Sequence, residues 1–313
     1  MRALQCFLPF TPKVVAGVCV RGASTVMLML TQPTIVLLLL ALLALQATAE
    51  PQVVSTALCA DQMVVALVDS EHILALSPQA RDNRLSAVVE QAKALPSLPP
   101  AAEALVFANA DVVVGMTGSE TQTLILMEQL GVRVLRLEAP NHFTAIARLI
   151  RIFSTTLGAS ARGEGLAVAL AKRWAAAKAM RTAAPRPPLA AYYRPDGGSA
   201  GHGTFVDVVL GAAGFENLAT ALGYHGWGRL DLETLTMNPP EGIVAAFFHP
   251  QHRDTLSRSL LHRFSHHPIF RTLWRHVPVL EVPGSMITCA SPVLTDVVEY
   301  LARKRSSLRV YQP

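Results

Sequence analysis

The chain alternates between short apolar stretches rich in β-branched residues and longer stretches whose apolar residues recur with helical periodicity. Seven apolar stretches are predicted as strands: residues 52–56, 72–77, 111–116, 133–138, 189–194, 242–249 and 277–282. The helical stretches between them include residues 61–68, 119–130, 144–157 and 205–213. Short apolar strands separated by helices are typical of parallel sheets with both faces covered. The pattern therefore predicts an α/β fold.

A long alanine-rich segment lies near the middle of this pattern. Residues 160–182 contain no proline, so they predict a single helix about 35 Å long. Gly163 and Gly165 are expected to fray its start, and the prolines from Pro185 onward to end it. A helix in this place predicts a connection between two lobes. The predicted boundaries are 50–159 for the N-terminal lobe, 160–182 for the interlobe helix and 183–313 for the C-terminal lobe.

An internal repeat supports the division into lobes. Residues 103–114 and 233–244 each begin with a glutamate, continue through an apolar helical turn and an Asn-containing break, and place an acidic residue before a strand. The two segments lie on opposite sides of the long helix with the same internal spacing. This arrangement predicts two lobes of similar construction.

The N-terminal region predicts an export signal. Residues 35–45 form an unbroken apolar run of 11 residues, too short for a bilayer span of about 20 residues. Ala47-Thr48-Ala49 follows as a small-x-small cleavage pattern, so residues 1–49 are predicted to be a signal peptide. The basic residues lie far upstream, which makes Met27 or Met29 an alternative start. An uncleaved anchor is the other interpretation of this region.

Composition supports a soluble exported protein. The full chain is 51% apolar and 16% charged, with a net charge of +5. Without residues 1–49 the net charge is +2, because three basic residues and no acidic ones are removed. The basicity thus belongs largely to the presequence and does not indicate nucleic-acid binding. We expect a monomer in a bacterial periplasm, and the absence of a cysteine at the cleavage point argues against a lipid anchor.

Several segments carry a family resemblance in order along the chain: residues 52–67, residues 103–114 (with Ala110 where a proline is usual), and residues 193–207 followed by 214–219. They resemble the cobalamin- and iron-siderophore-type periplasmic binding proteins of ABC importers. The resemblance implies two αβα Rossmann-like lobes with parallel sheets, joined by one long interlobe helix. It also implies a metal chelate, cobalamin or a ferric siderophore, held between the lobes and delivered to an ABC permease with its ATPase subunits. No cofactor is expected beyond the metal that such a ligand contains.

The candidate ligand-binding residues follow from this architecture, because ligands of parallel α/β sheets bind beyond the carboxyl ends of the strands. The selected loops are 57–61, 117–121, 195–204, 250–253 and 284–291. The candidates in or beside them are Cys59, Asp61, Thr117, Gly118, Tyr193, Arg194, Gly201, His202, Trp227, His249 and Met286. Trp227 resembles a platform for a flat macrocycle, and lobe packing is the alternative for it. For Tyr193 the alternative is a place in the core.

The sequence supports metal binding and catalysis less well than chelate capture. His262 and His266 would share one helix face and could bind zinc, although a solvated basic helix is the commoner explanation of such a segment. No metal site and no catalytic residues are predicted, because the chain has no nucleophile elbow, no phosphate-binding loop and no His-Glu-x-x-His. The alternatives to chelate capture are a haem or free zinc or manganese binding protein, and a secreted hydrolase.

Two further expectations depend on the resemblance. Glu120 lies next to the position at which such proteins present an acid to the permease, whereas the corresponding place near Thr288 has none. A favourable acid at a helix N-terminus is the other interpretation of Glu120. Cys59 and Cys289 remain after the presequence, and on the proposed fold both face the cleft. A disulfide and two separate buried thiols are equally compatible with the sequence.

Overall fold

The computed structural model describes residues 50–180, 186–247 and 267–305, and the account below concerns these residues. Its strands are β1 Val53–Ser55, β2 Ile73–Ala75, β3 Val112–Met116, β4 Arg133–Leu137, β5 Leu189–Tyr193, β6 Gly198–Ala200, β7 Glu216–Asn217, β8 Trp227–Arg229, β9 Gly242–Ala246 and β10 Val279–Val282. Two four-stranded parallel sheets result, in the orders β2-β1-β3-β4 and β10-β9-β5-β7. The α/β fold with parallel sheets in two lobes is confirmed.

The helices cover these sheets and connect their strands. They are α1 Leu58–Leu67, α2 Val89–Lys93, α3 Ala102–Ala108, α4 Thr121–Gln129, α5 Phe143–Thr156, α6 Ser160–Ala179, α7 Phe205–Ala213, α8 Leu218–Ala221, α9 Leu232–Met237, α10 Pro268–His276, α11 Gly284–Ile287 and α12 Leu294–Arg305. Short 3₁₀ turns occur at Ser70–His72 and Pro78–Arg81. Among the described residues, no helix has both the length and the apolar character that a membrane crossing requires.

All seven predicted strands occur, each shortened by one or more residues at its ends. The end of the predicted strand 242–249 lies partly outside the described residues. Three short strands were not predicted: β6 and β8, with three residues each, and β7, with two. β6 and β8 pair as an antiparallel ribbon. Such short segments, two of them containing glycine, show neither an apolar run nor a recognisable alternation.

Helix α6 follows the N-terminal sheet and precedes the C-terminal one. It begins at Ser160, includes both glycines, and buries Gly163, Ala167, Leu170, Trp174 and Ala177 on one face. This three- and four-residue spacing packs α6 against α5, with Trp174 stacked on Phe143 at 4.2 Å between ring centroids. The glycines therefore do not fray the helix, because Gly163 lies against α5. Residues 181–182 of the predicted helix lie outside the described residues.

The sequence repeat corresponds to a repeated structural unit. In the first copy α3 leads into β3, and in the second α9 leads into β9. Asp111 accepts a hydrogen bond from the backbone of Gln52, next to β1, at 2.8 Å. Glu241 accepts one from the backbone of Leu189, the first residue of β5, at 3.0 Å. The acid before the strand thus fixes the start of the neighbouring strand in both lobes.

Candidate ligand-binding site

The carboxyl ends of the parallel strands bring together segments from both lobes. Thr117 and Gly118 follow β3 and are exposed. In the other lobe Arg194 follows β5 and Phe247 follows β9. Strand ends in this arrangement form the usual ligand-binding edge of an α/β sheet. His249, the candidate beyond β9, lies outside the described residues.

Asp61 is not a ligand-facing residue, because the predicted loop 57–61 is helical from Leu58 onward. The Asp61 side chain is fully buried and accepts hydrogen bonds from the Ser77 hydroxyl at 2.6 Å and the Ser77 backbone at 3.0 Å. Burial raises the pKa of Asp61 to about 6, against the lowering effect of the bonds from Ser77. Asp61 therefore ties α1 to the segment that follows β2.

Cys59 and Cys289 form a disulfide, with their Cα atoms 5.3 Å apart and 230 positions between them in sequence. Cys59 lies in the first turn of α1 and is half-buried, whereas Cys289 lies just beyond α11 and is buried. The structure thus has the bridged alternative of the two that the sequence left open. The bridge joins the two lobes next to the carboxyl ends of β1 and β10.

A close backbone approach accompanies the disulfide. Gly284, at the start of α11, packs so closely that a Cβ would lie 2.5 Å from the Arg84 carbonyl oxygen and 2.6 Å from the Phe247 ring. Only glycine fits there. Phe247 itself has a φ of +67°, a left-handed conformation that is rare for an aromatic residue. Met286, also in α11, is half-buried against the main core.

Arg194 lies at this edge with 41% of its side chain exposed. Its guanidinium lies over the Phe247 ring, 5.1 Å from the centroid. Its Nε is 3.7 Å from Asp196 Oδ1, an ion pair longer than a hydrogen bond. Stacking thus orients a cation at the carboxyl edge while leaving part of it accessible to an anionic group.

The neighbouring Tyr193 is a core residue, which corrects its assignment to the ligand. Its side chain is fully buried and stacks on Phe270 at 5.6 Å between centroids. Burial raises the pKa of Tyr193 well above the usual range. Both faces of a parallel sheet are covered, so consecutive strand tyrosines can both be buried, as Tyr192 and Tyr193 are.

The β6–β8 ribbon places aromatic and imidazole groups on the surface. Gly201 is buried and packs against the Tyr224 carbonyl, so closely that a Cβ would meet that oxygen. Beyond it, the His202 amide donates to the Tyr224 carbonyl at 2.9 Å, and the Gly226 amide donates to the His202 carbonyl at 2.8 Å. These bonds place the exposed rings of His202 and His225 edge to face, 5.4 Å apart.

Of the two large aromatic candidates, Tyr193 and Trp227, only Trp227 is exposed. The residue is 52% exposed. Phe205 and Tyr192 meet its ring edge-on, at centroid distances of 5.4 and 6.4 Å. Buried aromatic neighbours therefore hold a ring whose remaining surface is free for stacking.

Two groups in this region were missed as site residues. His225 stands in the sequence Tyr224-His225-Gly226-Trp227, and the glycine among polar and aromatic rings is the sequence signal that could have identified it. Phe247 is indistinguishable in sequence from the buried residues of β9, so only its backbone conformation in the structure separates it from them.

Glu120 does not have the orientation expected of an exposed docking acid. It has a left-handed φ of +46°, and its Oε2 is buried without a hydrogen-bond partner among the described residues. Burial, and secondarily the charge of Asp61, raise the pKa of Glu120. The side chain is thus turned at least partly inward, toward the lobe.

No metal centre is formed within residues 50–180, 186–247 and 267–305, since no three histidine, cysteine or acidic side chains there are placed to hold an ion. His262 and His266 lie outside these residues.

Comparison with known proteins identifies the class. The model of the periplasmic binding protein family matches residues 53–247, and the chain belongs to this family. The resemblance drawn from the sequence is thereby confirmed, and the members of this family are binding proteins of the periplasm. A search of curated protein sequences gave no match.

Solved structures with the same fold cover about four fifths of the chain. The periplasmic heme-binding protein RhuT from Roseiflexus sp. RS-1, in its apo form, is 21% identical, with a TM-score of 0.67 over 83% of this chain and 99% of that one. A periplasmic heme-binding protein from Pseudomonas aeruginosa is 22% identical, with a TM-score of 0.59 over 80% and 91%. The vitamin B12 binding protein BtuF of Vibrio cholerae is 14% identical, with a TM-score of 0.64 over 83% and 98%. At these identities the likeness establishes the fold.

Proposed function

We propose that this protein captures a metal chelate between its lobes and delivers it to an ABC permease, and that the chelate is a tetrapyrrole, cobalamin or haem. The observation that carries the tetrapyrrole proposal is Trp227. A half-exposed indole held edge-on by Phe205 and Tyr192 offers a flat apolar surface, which matches the face of a macrocycle.

Two other groups support a large ligand that contains a metal. His202 and His225 present exposed imidazoles near the same ribbon, and imidazole is a common ligand of haem iron. Arg194 presents a cation that could pair with a carboxylate on the rim of a tetrapyrrole. The related folds described as heme-binding and vitamin B12 binding are consistent with this ligand class.

A ferric siderophore is the second candidate. Arg194 is the observation in its favour, because anionic catecholate and carboxylate groups pair with a guanidinium without needing an aromatic platform. In that case the Trp227 ring would contribute little to affinity, which separates the two candidates by experiment.

The remaining elements of the proposal concern location and partners. A signal peptide in residues 1–49 would export the chain to the periplasm, where a permease and its ATPase subunits would receive the ligand. Glu120 is retained as a docking residue only as a prediction. Uptake should fall in a Glu120→Ala strain if the side chain docks, with ligand affinity unchanged; normal uptake would remove that role.

Titration with four ligands tests the ligand class. Purified protein is titrated with haemin, cyanocobalamin, a ferric hydroxamate and a ferric catecholate, and binding is followed by ligand absorption. We expect micromolar or tighter binding of a tetrapyrrole, and Trp227→Ala to weaken it about tenfold, which corresponds to about 1.4 kcal/mol.

Trp274→Phe is the matched control, because Trp274 packs against Phe270 within the C-terminal lobe. It should leave the affinity unchanged. If none of the four ligands binds at micromolar concentration, chelate capture is wrong. If only the siderophores bind, and Trp227→Ala has no effect, the tetrapyrrole assignment is wrong and the second candidate stands.

A further inference from the structure

We propose that the Cys59–Cys289 disulfide is a reversible redox latch, which holds the two lobes together at the rim of the cleft and slows ligand release. Its partner would be a periplasmic dithiol oxidoreductase that reduces the bridge. This inference rests on the proposed function, since it concerns the regulation of the same cleft.

The position of the bridge carries the inference. Cys59 lies in the first turn of α1, directly after β1, and Cys289 lies just beyond α11, which follows β10. A disulfide elsewhere in a lobe would stabilise that lobe alone. This bridge crosses between the lobes at the edge where ligands of α/β sheets bind.

At this edge, the seam formed by residues 57–61, 82–86 and 284–291, the lobes also make a non-covalent contact. Gly284 of the C-terminal lobe lies against the Arg84 carbonyl of the N-terminal lobe, a contact that requires close approach but forms no bond. The chain itself connects the lobes through α6, which packs against α5 and α12. With the bridge cut, the cleft edge would be held by packing alone while α6 still joined the lobes.

The two cysteines differ in accessibility, which determines which of them an outside thiolate reaches. Cys59 is half-buried, whereas Cys289 is 2% exposed. Cys59 is also the second residue of α1, whose N-cap residue Ala57 contributes no side-chain hydrogen bond. The amide groups and the dipole of a helix N-terminus stabilise a thiolate, which favours the release of Cys59 in the second step of the exchange, while the greater exposure of Cys59 directs the first attack to it.

The reaction is an ordinary thiol–disulfide exchange. A thiolate of the dithiol partner attacks the Cys59 sulfur, the Cys59–Cys289 bond breaks, and Cys289 leaves as a thiolate that takes up a proton. The second thiolate of the partner then attacks the partner's own sulfur in the mixed disulfide and releases Cys59. The binding protein gains two electrons and two protons, and the partner is oxidised to its disulfide.

The first experiment measures ligand release in the full-length exported protein. Dissociation of haemin and of cyanocobalamin is followed by stopped flow before and after reduction with dithiothreitol, with the redox state verified by intact mass. We expect at least a tenfold faster dissociation from the reduced protein. The double variant Cys59→Ala/Cys289→Ala should release ligand at the fast rate and should not respond to dithiothreitol.

The second experiment needs no ligand. Hydrogen exchange over seconds to minutes is compared between oxidised and reduced protein. We expect faster exchange in the seam segments 57–61, 82–86 and 284–291, with β3 and β5 still protected. Exchange in β3 and β5 that rises as much as exchange in the seam segments within these times would show that the bridge is only a general stabiliser, and would overturn the latch.

The third experiment tests the partner class. Reduced thioredoxin without its resolving cysteine serves as a model dithiol oxidoreductase, and we expect it to be trapped on Cys59. Attachment to Cys289, or no reaction with folded protein, would overturn the proposed exchange.

The outcomes separate this inference from the proposed function. Ligand binding with equal dissociation rates and equal seam exchange in both redox states overturns the latch and leaves the function intact. Faster seam exchange on reduction, in a protein that binds none of the four ligands, supports the latch and removes the proposed function.

Discussion

At the residue scale, Asp61 combines full burial with two hydrogen bonds from a single residue, Ser77. Its pKa of about 6 in the folded protein lies above the ordinary value of 3.8. Between pH 3.8 and about pH 6 the folded protein keeps the Asp61 proton, whereas the unfolded chain has lost it. The contribution of Asp61 to the free energy of unfolding is therefore largest below pH 4, and it falls as the pH rises toward 6.

This predicts a difference between the wild type and Asp61→Asn. The variant cannot ionise at this position, so relative to the wild type it should gain about 3 kcal/mol of stability between pH 4 and pH 7. Denaturant unfolding at several pH values measures this difference. Glu71→Gln, an exposed carboxyl nearby, is the control and should show no comparable change. Parallel pH profiles for Asp61→Asn and wild type would contradict the prediction.

Residue types near the strand ends could be predicted from the sequence, but their environments could not. Tyr193 and Trp227 are both aromatic residues in short strands, yet the first is fully buried and the second half-exposed. The difference arises because β5 is an inner strand of a covered sheet, whereas β8 belongs to a separate two-stranded ribbon. Since β8 itself left no recognisable sequence signal, the exposure of Trp227 could not be derived.

At the element scale, the two glycines of α6 have opposite surroundings. A Cβ at Gly163 would overlap the Ser154 side chain of α5, whereas a Cβ at Gly165 would meet nothing within 4 Å. Alanine is favoured over glycine in a helix by about 1 kcal/mol in both places. Packing against α5 therefore decides whether an alanine stabilises or destabilises the protein at Gly163, whereas at Gly165 helix propensity alone decides it.

We accordingly expect Gly165→Ala to raise the free energy of unfolding by about 0.5–1 kcal/mol. Gly163→Ala should lower it by about 1–3 kcal/mol, because the added methyl separates α5 from α6. Thermal and denaturant unfolding of the matched pair measure both effects. The second change Ser154→Ala should partly restore Gly163→Ala. Stabilisation by both glycine substitutions would show that α5 and α6 do not approach as closely as described.

The start of α7 provides a second element-scale prediction. Its N-cap residue Thr204 accepts a hydrogen bond from the Asp207 amide at 3.2 Å and donates one to the Gly201 carbonyl at 2.8 Å. Thr204→Ala should cost about 1–2 kcal/mol, because both bonds are lost at a buried position. Thr204→Ser keeps the hydroxyl and should cost clearly less in the same denaturation experiment. Equal losses would indicate that the methyl group, and not the cap, matters.

Thr204 and Asp207 stand three positions apart, a spacing typical of a helix cap, whereas the sequence does not indicate the other contacts of Asp207. Its carboxylate accepts hydrogen bonds from Asn217 at 2.9 Å and Thr220 at 2.6 Å instead of returning to the cap. Local spacing predicts bonds within one helical turn. Bonds to residues 10 and 13 positions away depend on how α7 and α8 pack, which no local pattern encodes.

At the scale of the whole molecule, the largest hydrophobic core is shared between the lobes. Its members include Ala60 and Met63 near β1, Trp174 of α6, and Val209 and Leu301 of the C-terminal lobe. Each lobe also has a smaller cluster of its own, one around Val113 and Leu124 and the other around Tyr193 and Phe270. Two lobes were predictable from the repeat and the long helix. A core continuous through them was not, because it depends on which faces of α6, α7 and α12 meet.

A continuous core predicts that the two lobes unfold together. Denaturant unfolding followed by hydrogen exchange should give the same midpoint for β3 in one small cluster and β5 in the other, because losing either lobe exposes the shared core. Reduction of the Cys59–Cys289 bridge should lower the free energy of unfolding by about 5 kcal/mol, since the closed loop is long. The two midpoints should fall together, because the core and not the bridge couples the lobes. Separate midpoints in the oxidised protein would show that the shared core is too weak to couple them, and separation only after reduction would assign the coupling to the disulfide.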